Sequence, residues 1–233
     1  MATVKATLVY DTYVSDAHKS TTYENATYAS LGKTYRIGVQ QYNIPKLDDI
    51  VLNSAKLRLY VSESISGAKV TAALYDQNQK FSGLTYNDWI PVMDRKILDA
   101  EGSFTFTRGS SSYDEWIEID IANLILGNIG KQNFTLGITT NKPTFTIIET
   151  SRNTHPPEIV IDYQNATPFV PTIIYPDGEV LENAGTVRFQ WRHNTSGGSA
   201  QSKFELGWKM QSESSWHTVT QSTTQQYYDT NAS

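Results

Sequence analysis

Cysteine is absent from this 233-residue chain. That excludes disulfides, thiolate metal sites and a cysteine nucleophile. Charge is also sparse. Charged residues make up 18% and hydrophobic residues 39%, where soluble domains usually carry roughly 25% and 45–50%. The formal net charge is −5 and no basic cluster occurs, which argues against nucleic acid as a partner. No apolar run approaches the ~20 residues needed to span a membrane, so no membrane insertion is expected. A signal-peptide pattern is missing too, because Met1-Ala2-Thr3-Val4-Lys5 leads straight into strand-like sequence. This predicts a cytosolic product, an excised fragment, or part of a particle released by lysis.

Helical periodicity is almost missing, and alternation takes its place. Ser and Thr fill about one position in five, with 14 Tyr, the composition of polar strand faces and many turns. Leu57, Leu59 and Val61 alternate with Lys56, Arg58 and Tyr60. Ile117, Ile119 and Ile121 alternate with Trp116, Glu118 and Asp120. Val70/Ala72/Leu74, Phe104/Phe106, Phe134/Leu136/Ile138, Phe145/Ile147 and Ile159/Ile161/Tyr163 repeat the pattern. Strands of this kind bury one face and wet the other, as in a sandwich. Turn signals at Ser66-Gly67, Ser82-Gly83, Glu101-Gly102, Arg108-Gly109 and Asn141-Lys142-Pro143 separate them. One short helix is predicted over 120–127, capped by Asp120 and ended by Gly127 or Gly130.

A boundary is expected near residue 165. Residues 1–164 form one β unit, and 165–171, with Pro168 and Pro171, read as a semi-rigid linker. A second β unit spans 172–233, where Val187/Phe189/Trp191 and Phe204/Leu206/Trp208 alternate around the flexible stretch Thr195–Ser199.

Four segments carry a resemblance. Asp11-Thr12-Tyr13-Val14, residues 35–45 ending in Ile44-Pro45, residues 50–61 with Ser54-Ala55-Lys56-Leu57-Arg58-Leu59-Tyr60-Val61, and Leu84-Thr85-Tyr86-Asn87-Asp88-Trp89-Ile90-Pro91 are similar to motifs of the DNRLRE-type domains. Those domains are related to carbohydrate-binding modules of family 96. Two positions depart from the pattern: Gly38 replaces a branched apolar residue, and Tyr86 replaces Trp, with Trp89 three residues on. The resemblance implies a jelly-roll-like β-sandwich. Residues 168–233 resemble the first half of a fibronectin type III domain, through Pro171, Pro176-Asp177-Gly178, Phe189-Gln190-Trp191 and Phe204-Glu205-Leu206. Since that fold has seven strands, the second unit is expected to be incomplete and to need further sequence or a neighbouring subunit.

Catalytic constellations are missing. His18, His155, His193 and His217 show no metal-site spacing, and no nucleophile elbow, P-loop or dinucleotide fingerprint occurs. The carboxylate pairs Asp48-Asp49 and Asp114-Glu115 sit in turn-like sequence and read as solvated loops rather than a glycosidase pair. No cofactor is expected. Calcium at Asp11, Asp48 or Asp49 is chemically allowed, but no ligand spacing singles it out.

Aromatics are the better signal, because sugar rings stack their C–H faces on Trp and Tyr. Trp116 lies out of phase with its apolar strand neighbours and should point away from the core, either toward a ligand or packed under a loop or at the sheet edge. Trp89 reads as a loop residue, either a cap over the sandwich or a binding platform. Tyr113 is solvent-facing or part of a binding loop. Trp191 and Trp208 take core positions of the second unit, and Tyr86 a core position of the first.

The architecture is therefore all-β and its role non-catalytic. Two readings compete. The first is a structural component of a phage or phage-like particle, partnered by other proteins of its assembly in a virion. The second is a carbohydrate-binding module of a secreted polysaccharide-degrading enzyme or cell-surface adhesin, partnered by plant or bacterial polysaccharide. The opening Met, the missing signal sequence and the short second unit put the first ahead.

Overall fold

A computed structural model of the chain describes residues 1–32, 36–48, 50–77, 79–107, 113–142, 146–166, 168–178, 185–195 and 200–231. Asp49, Arg108-Gly109, Pro143, Phe145 and residues 196–199 lie outside the described residues. The chain is all-β and divides into two compact units: Met1–Asp48 with Leu52–Gln164, and Asp49–Val51 with Asn165–Ser233. Among the described residues no helix is long and apolar enough to cross a membrane.

The first unit holds two antiparallel sheets. A six-stranded sheet contains β1 (Ala2–Lys5), β3 (Tyr28–Leu31), β5 (Ile50–Glu63), β8 (Glu115–Asp120), β10 (Thr146–Glu149) and β11 (Glu158–Asn165). A five-stranded sheet runs β2 (Thr7–Ser15), β4 (Arg36–Asn43), β9 (Phe134–Thr140), β6 (Lys69–Tyr75), β7 (Lys96–Thr105). Strand β5 is the spine of the first sheet. It pairs β8 along one edge, from Lys56↔Asp120 to Val61↔Glu115, and β10 along the other, at Ile148↔Val61.

The period of two decides what these sheets bury. Leu57, Leu59, Val61, Ile117, Ile119 and Ile161 all point inward and are buried. They share one core with Val70, Ala72, Leu74, Phe134, Leu136 and Ile138 of the other sheet. Leu59 is fully enclosed, so Leu59→Ala should cost ~2–5 kcal/mol through lost burial and the cavity left behind. Chemical denaturation measures this as a lower midpoint at unchanged slope.

The five-stranded sheet departs from the expectation of one wet face. Thr135 and Gly137, which alternate with its core residues, are buried. Thr135 accepts from Gln41 Nε2, which also donates to Gln79 O, and over Gly137 the reason is helix α1 (Tyr86–Met93), which the sequence pattern presents as a loop. Its start is a capping box. Asp88 N–H donates to Thr85 Oγ1 at 3.3 Å, and Thr85 N–H donates to Asp88 Oδ2 at 3.0 Å. Tyr86, Trp89 and Val92 then fall on one helix face and pack on Val14, Ile37, Val39, Ala73 and Tyr75 of the sheet. Gly137 makes this possible: a Cβ there would stand 2.6 Å from the Tyr75 ring and 3.3 Å from that of Trp89. The unusual Gly38 has a similar cause, since a Cβ there would press within 3.1 Å of Leu31 and 3.3 Å of Ile138.

The helix expected over 120–127 is shorter, α2 (Ala122–Ile125), and tightens into a 3₁₀ turn at Leu126–Asn128. Asp120 Oδ1 accepts the Ala122 N–H at 3.0 Å.

The second unit has a three-stranded sheet, β12 (Pro168–Tyr175), β13 (Thr186–Thr195) and β16 (Tyr227–Asn231), and a hairpin of β14 (Phe204–Trp208) with β15 (His217–Gln221). Phe189 meets Trp208 at 5.8 Å and Trp191 meets Phe204 at 4.7 Å, so sheet and hairpin face each other. Trp191 is buried and its Nε1–H donates to Gln201 Oε1 at 2.7 Å. Trp208 is only half-buried. A cavity of about 360 Å³ opens between the layers beside Phe169, Ile173 and Leu206, and Phe169 and Ile173 remain exposed.

Candidate functional site

The two outer faces of the first unit differ. Helix α1 covers that of the five-stranded sheet. The outer face of the six-stranded sheet carries the residues that alternate with the core: Lys56, Arg58 and Tyr60 of β5, and Trp116, Glu118 and Asp120 of β8. The structure therefore turns Trp116 away from the core, half-buried, as its phase requires.

Trp116 is not alone there. Its cross-strand partner is Tyr60, whose ring meets it edge-on at 5.6 Å. His155 lies flat on Tyr60, with centroids 3.9 Å apart and planes 13° from parallel, and also meets Trp116 edge-on at 5.9 Å. The Arg58 guanidinium sits 4.7 Å from the centre of the Trp116 ring, a cation–π contact that steadies the indole.

A loop pinned at several points presents His155. Buried Glu149 accepts from the His155 N–H at 2.9 Å and lies 3.0 Å from His155 Nδ1. Thr150 donates its N–H to Thr27 O and its hydroxyl to Ala26 O. Ser151 donates its N–H to Asp11 Oδ2 at 2.6 Å and its hydroxyl to Asp11 Oδ1. Asp11 is buried, so it serves as the anchor of this loop. Asp48 is exposed and pairs with Lys46 at 3.5 Å. Among the described residues no group of three or more His, Asp or Glu side chains is placed to hold a metal.

Beside the aromatic group lies a mesh of paired charges. Arg58 reaches Glu158 at 3.2 Å and Glu118 at 3.4 Å, Lys5 reaches Glu158 at 2.7 Å, and Lys56 reaches Asp120 at 3.5 Å. Asp162 accepts from Thr3 at 2.6 Å and Ser54 at 2.9 Å. Those two hydroxyls hold the Asp162 carboxyl below its ordinary pKa, and the Ala122 N–H does the same for Asp120. Lowered carboxylates favour folding above their unfolded pKa, and that contribution is lost as pH falls through the lower folded value. Asp120 and Asp162 thus stay ionised in mild acid. Partial desolvation first, then the negative Asp114 and Glu149, push the Tyr60 hydroxyl above its ordinary range.

Two of the three aromatic candidates are placed elsewhere. Trp89 is helical, not in a loop, and is fully enclosed beneath α1, so it offers no platform. Tyr113 is buried, with its ring edge-on to Phe106 at 4.9 Å and its N–H donating to Ser62 O. It belongs to the same core cluster as Phe106, Ile117 and Ile119. Tyr86 is buried. Tyr60 and Arg58 carry the same out-of-phase signal as Trp116 and belong to its group. His155 has no local signal, since only the folded loop brings it to Tyr60.

Residues 2–163 match carbohydrate-binding module family 96. The chain belongs to that family. A search of curated proteins finds no match. Membership of a family of non-catalytic binding modules accords with the aromatic group on the outer face of the six-stranded sheet of this family 96 domain. It also shifts the balance between the two readings. The match supports the carbohydrate-binding module, and it lends nothing to the particle component that the sequence alone puts first.

Proposed function

We propose that this family 96 domain binds polysaccharide on the outer face of the six-stranded sheet, around Trp116, Tyr60 and His155. The observation that carries the reading is the gathering of three aromatic rings, two of them from adjacent strands and one from an anchored loop, on the outer face of the sheet that α1 does not pack against. Apolar ring faces suit the C–H faces of sugars. The Tyr60 hydroxyl supplies a hydrogen-bond partner for sugar hydroxyls. Its place of action is then outside a cell or at a cell surface. For residues 168–233 we keep the fibronectin type III-like reading, supported by a three-stranded sheet facing a hairpin across aromatic contacts.

The test is electrophoresis of the intact chain through native gels containing soluble polysaccharides, neutral and acidic. Retardation by at least one of them is expected. Unaltered mobility across the whole panel would overturn the reading.

A further inference from the structure

Register places a fourth aromatic side chain on the same face. Tyr28 of β3 pairs with Glu149 of β10. Its neighbours Ala29 and Leu31 are core residues, so Ala29 points inward and Tyr28 outward; it is 46% exposed. Glu149 is the residue that holds His155, and His155 stacks on Tyr60, whose partner is Trp116. Tyr28, Glu149, Tyr60 and Trp116 thus lie on one line that crosses β3, β10, β5 and β8. Directly opposed residues share a face, and three strand steps of ~4.8 Å make this row about 14 Å long.

The alternative direction, along the strands, is different chemistry. From Tyr60 toward the start of β5 the face passes Arg58 and Lys56, whose charges are already committed to Glu118, Glu158 and Asp120. A glycan laid that way would cover paired ions, and desolvating them has a cost. Laid across the strands it meets rings.

We infer that bound polysaccharide runs across the strands from Trp116 over the His155–Tyr60 stack to Tyr28. The site then takes several consecutive sugars of a linear chain and not a single sugar. This rests on the binding reading above and adds Tyr28 as its far contact.

The experiment uses a size ladder of oligosaccharides, from the disaccharide upward, cut from the polysaccharide that retards the intact chain most. Affinities are measured by calorimetry for the wild type and for Tyr28→Ala, Trp116→Ala and Lys56→Ala, each checked by circular dichroism to be folded at the assay temperature. Wild-type affinity should rise with length and level off. Tyr28→Ala should lose roughly three- to tenfold on the longest fragments, the size of one aromatic contact, and nothing on the shortest. Lys56→Ala should match wild type throughout. If Trp116→Ala abolishes binding while Tyr28→Ala leaves every length unchanged, the cross-strand course is wrong and the binding face stands. A loss with Lys56→Ala on the long fragments alone would show a course along the strands. If Trp116→Ala binds like wild type, the face itself is wrong.

Discussion

Trp89→Ala should be the most damaging single substitution in the first unit, lowering stability by about 3–5 kcal/mol. Trp89 is fully enclosed between α1 and the five-stranded sheet. It meets Tyr75 at 4.9 Å and Phe81 at 6.0 Å and lies over Gly137. Truncation empties the space that Gly137 opens, and the sheet beneath cannot rise to fill it. One feature works the other way: the buried Nε1–H has no hydrogen-bond partner among the described residues, an arrangement that costs about 1–3 kcal/mol. Trp89→Phe should therefore be milder than its lost volume suggests. Urea denaturation of both variants checks the order. Equal midpoints for Trp89→Ala and wild type would show that α1 does not pack as described.

Trp116→Ala should do the opposite, sparing the fold and removing function. Trp116 is half-buried and outside the core. Its contacts are the edges of Tyr60 and His155 and the Arg58 guanidinium, each worth on the order of 1 kcal/mol at a surface. Together these amount to about 3 kcal/mol, so the melting temperature should fall by roughly 10 °C at most while the fold is kept. Polysaccharide affinity should fall about tenfold or more, since a ring that stacks on sugar near the centre of a site behaves as a hot spot. Arg58→Ala should weaken binding less, by loosening the indole. Calorimetry against the retarding polysaccharide checks both, and a large drop in melting temperature with unchanged affinity would make Trp116 a packing residue.

The core was legible because its signal is local. In β5 and β8 each residue's face follows from the count along the strand, so Leu57, Leu59, Ile117 and Ile119 are read inward and Arg58, Tyr60 and Trp116 outward. Trp89 was not legible in that way. Its helix is only eight residues long and contains Pro91, which ordinarily argues against a helix interior. The Thr85–Asp88 capping box was the signal available. Tyr113 was out of reach for a different cause: it stands just before β8, where strand phase does not extend. His155 and Asp11 show the limit most plainly. They lie 144 positions apart in the sequence and act on one loop, and no periodicity connects them.

The most direct measurement of the central claim is a map of backbone amide shifts in the intact, isotope-labelled chain as the retarding oligosaccharide is added. The account predicts shifts at Arg58–Val61, Glu115–Glu118 and Thr154–His155, extending to Tyr28 with longer fragments, and no shift in α1 or in β12–β16. Shifts confined to α1, or to the cavity beside Phe169 and Ile173, would contradict it and put the glycan on another surface.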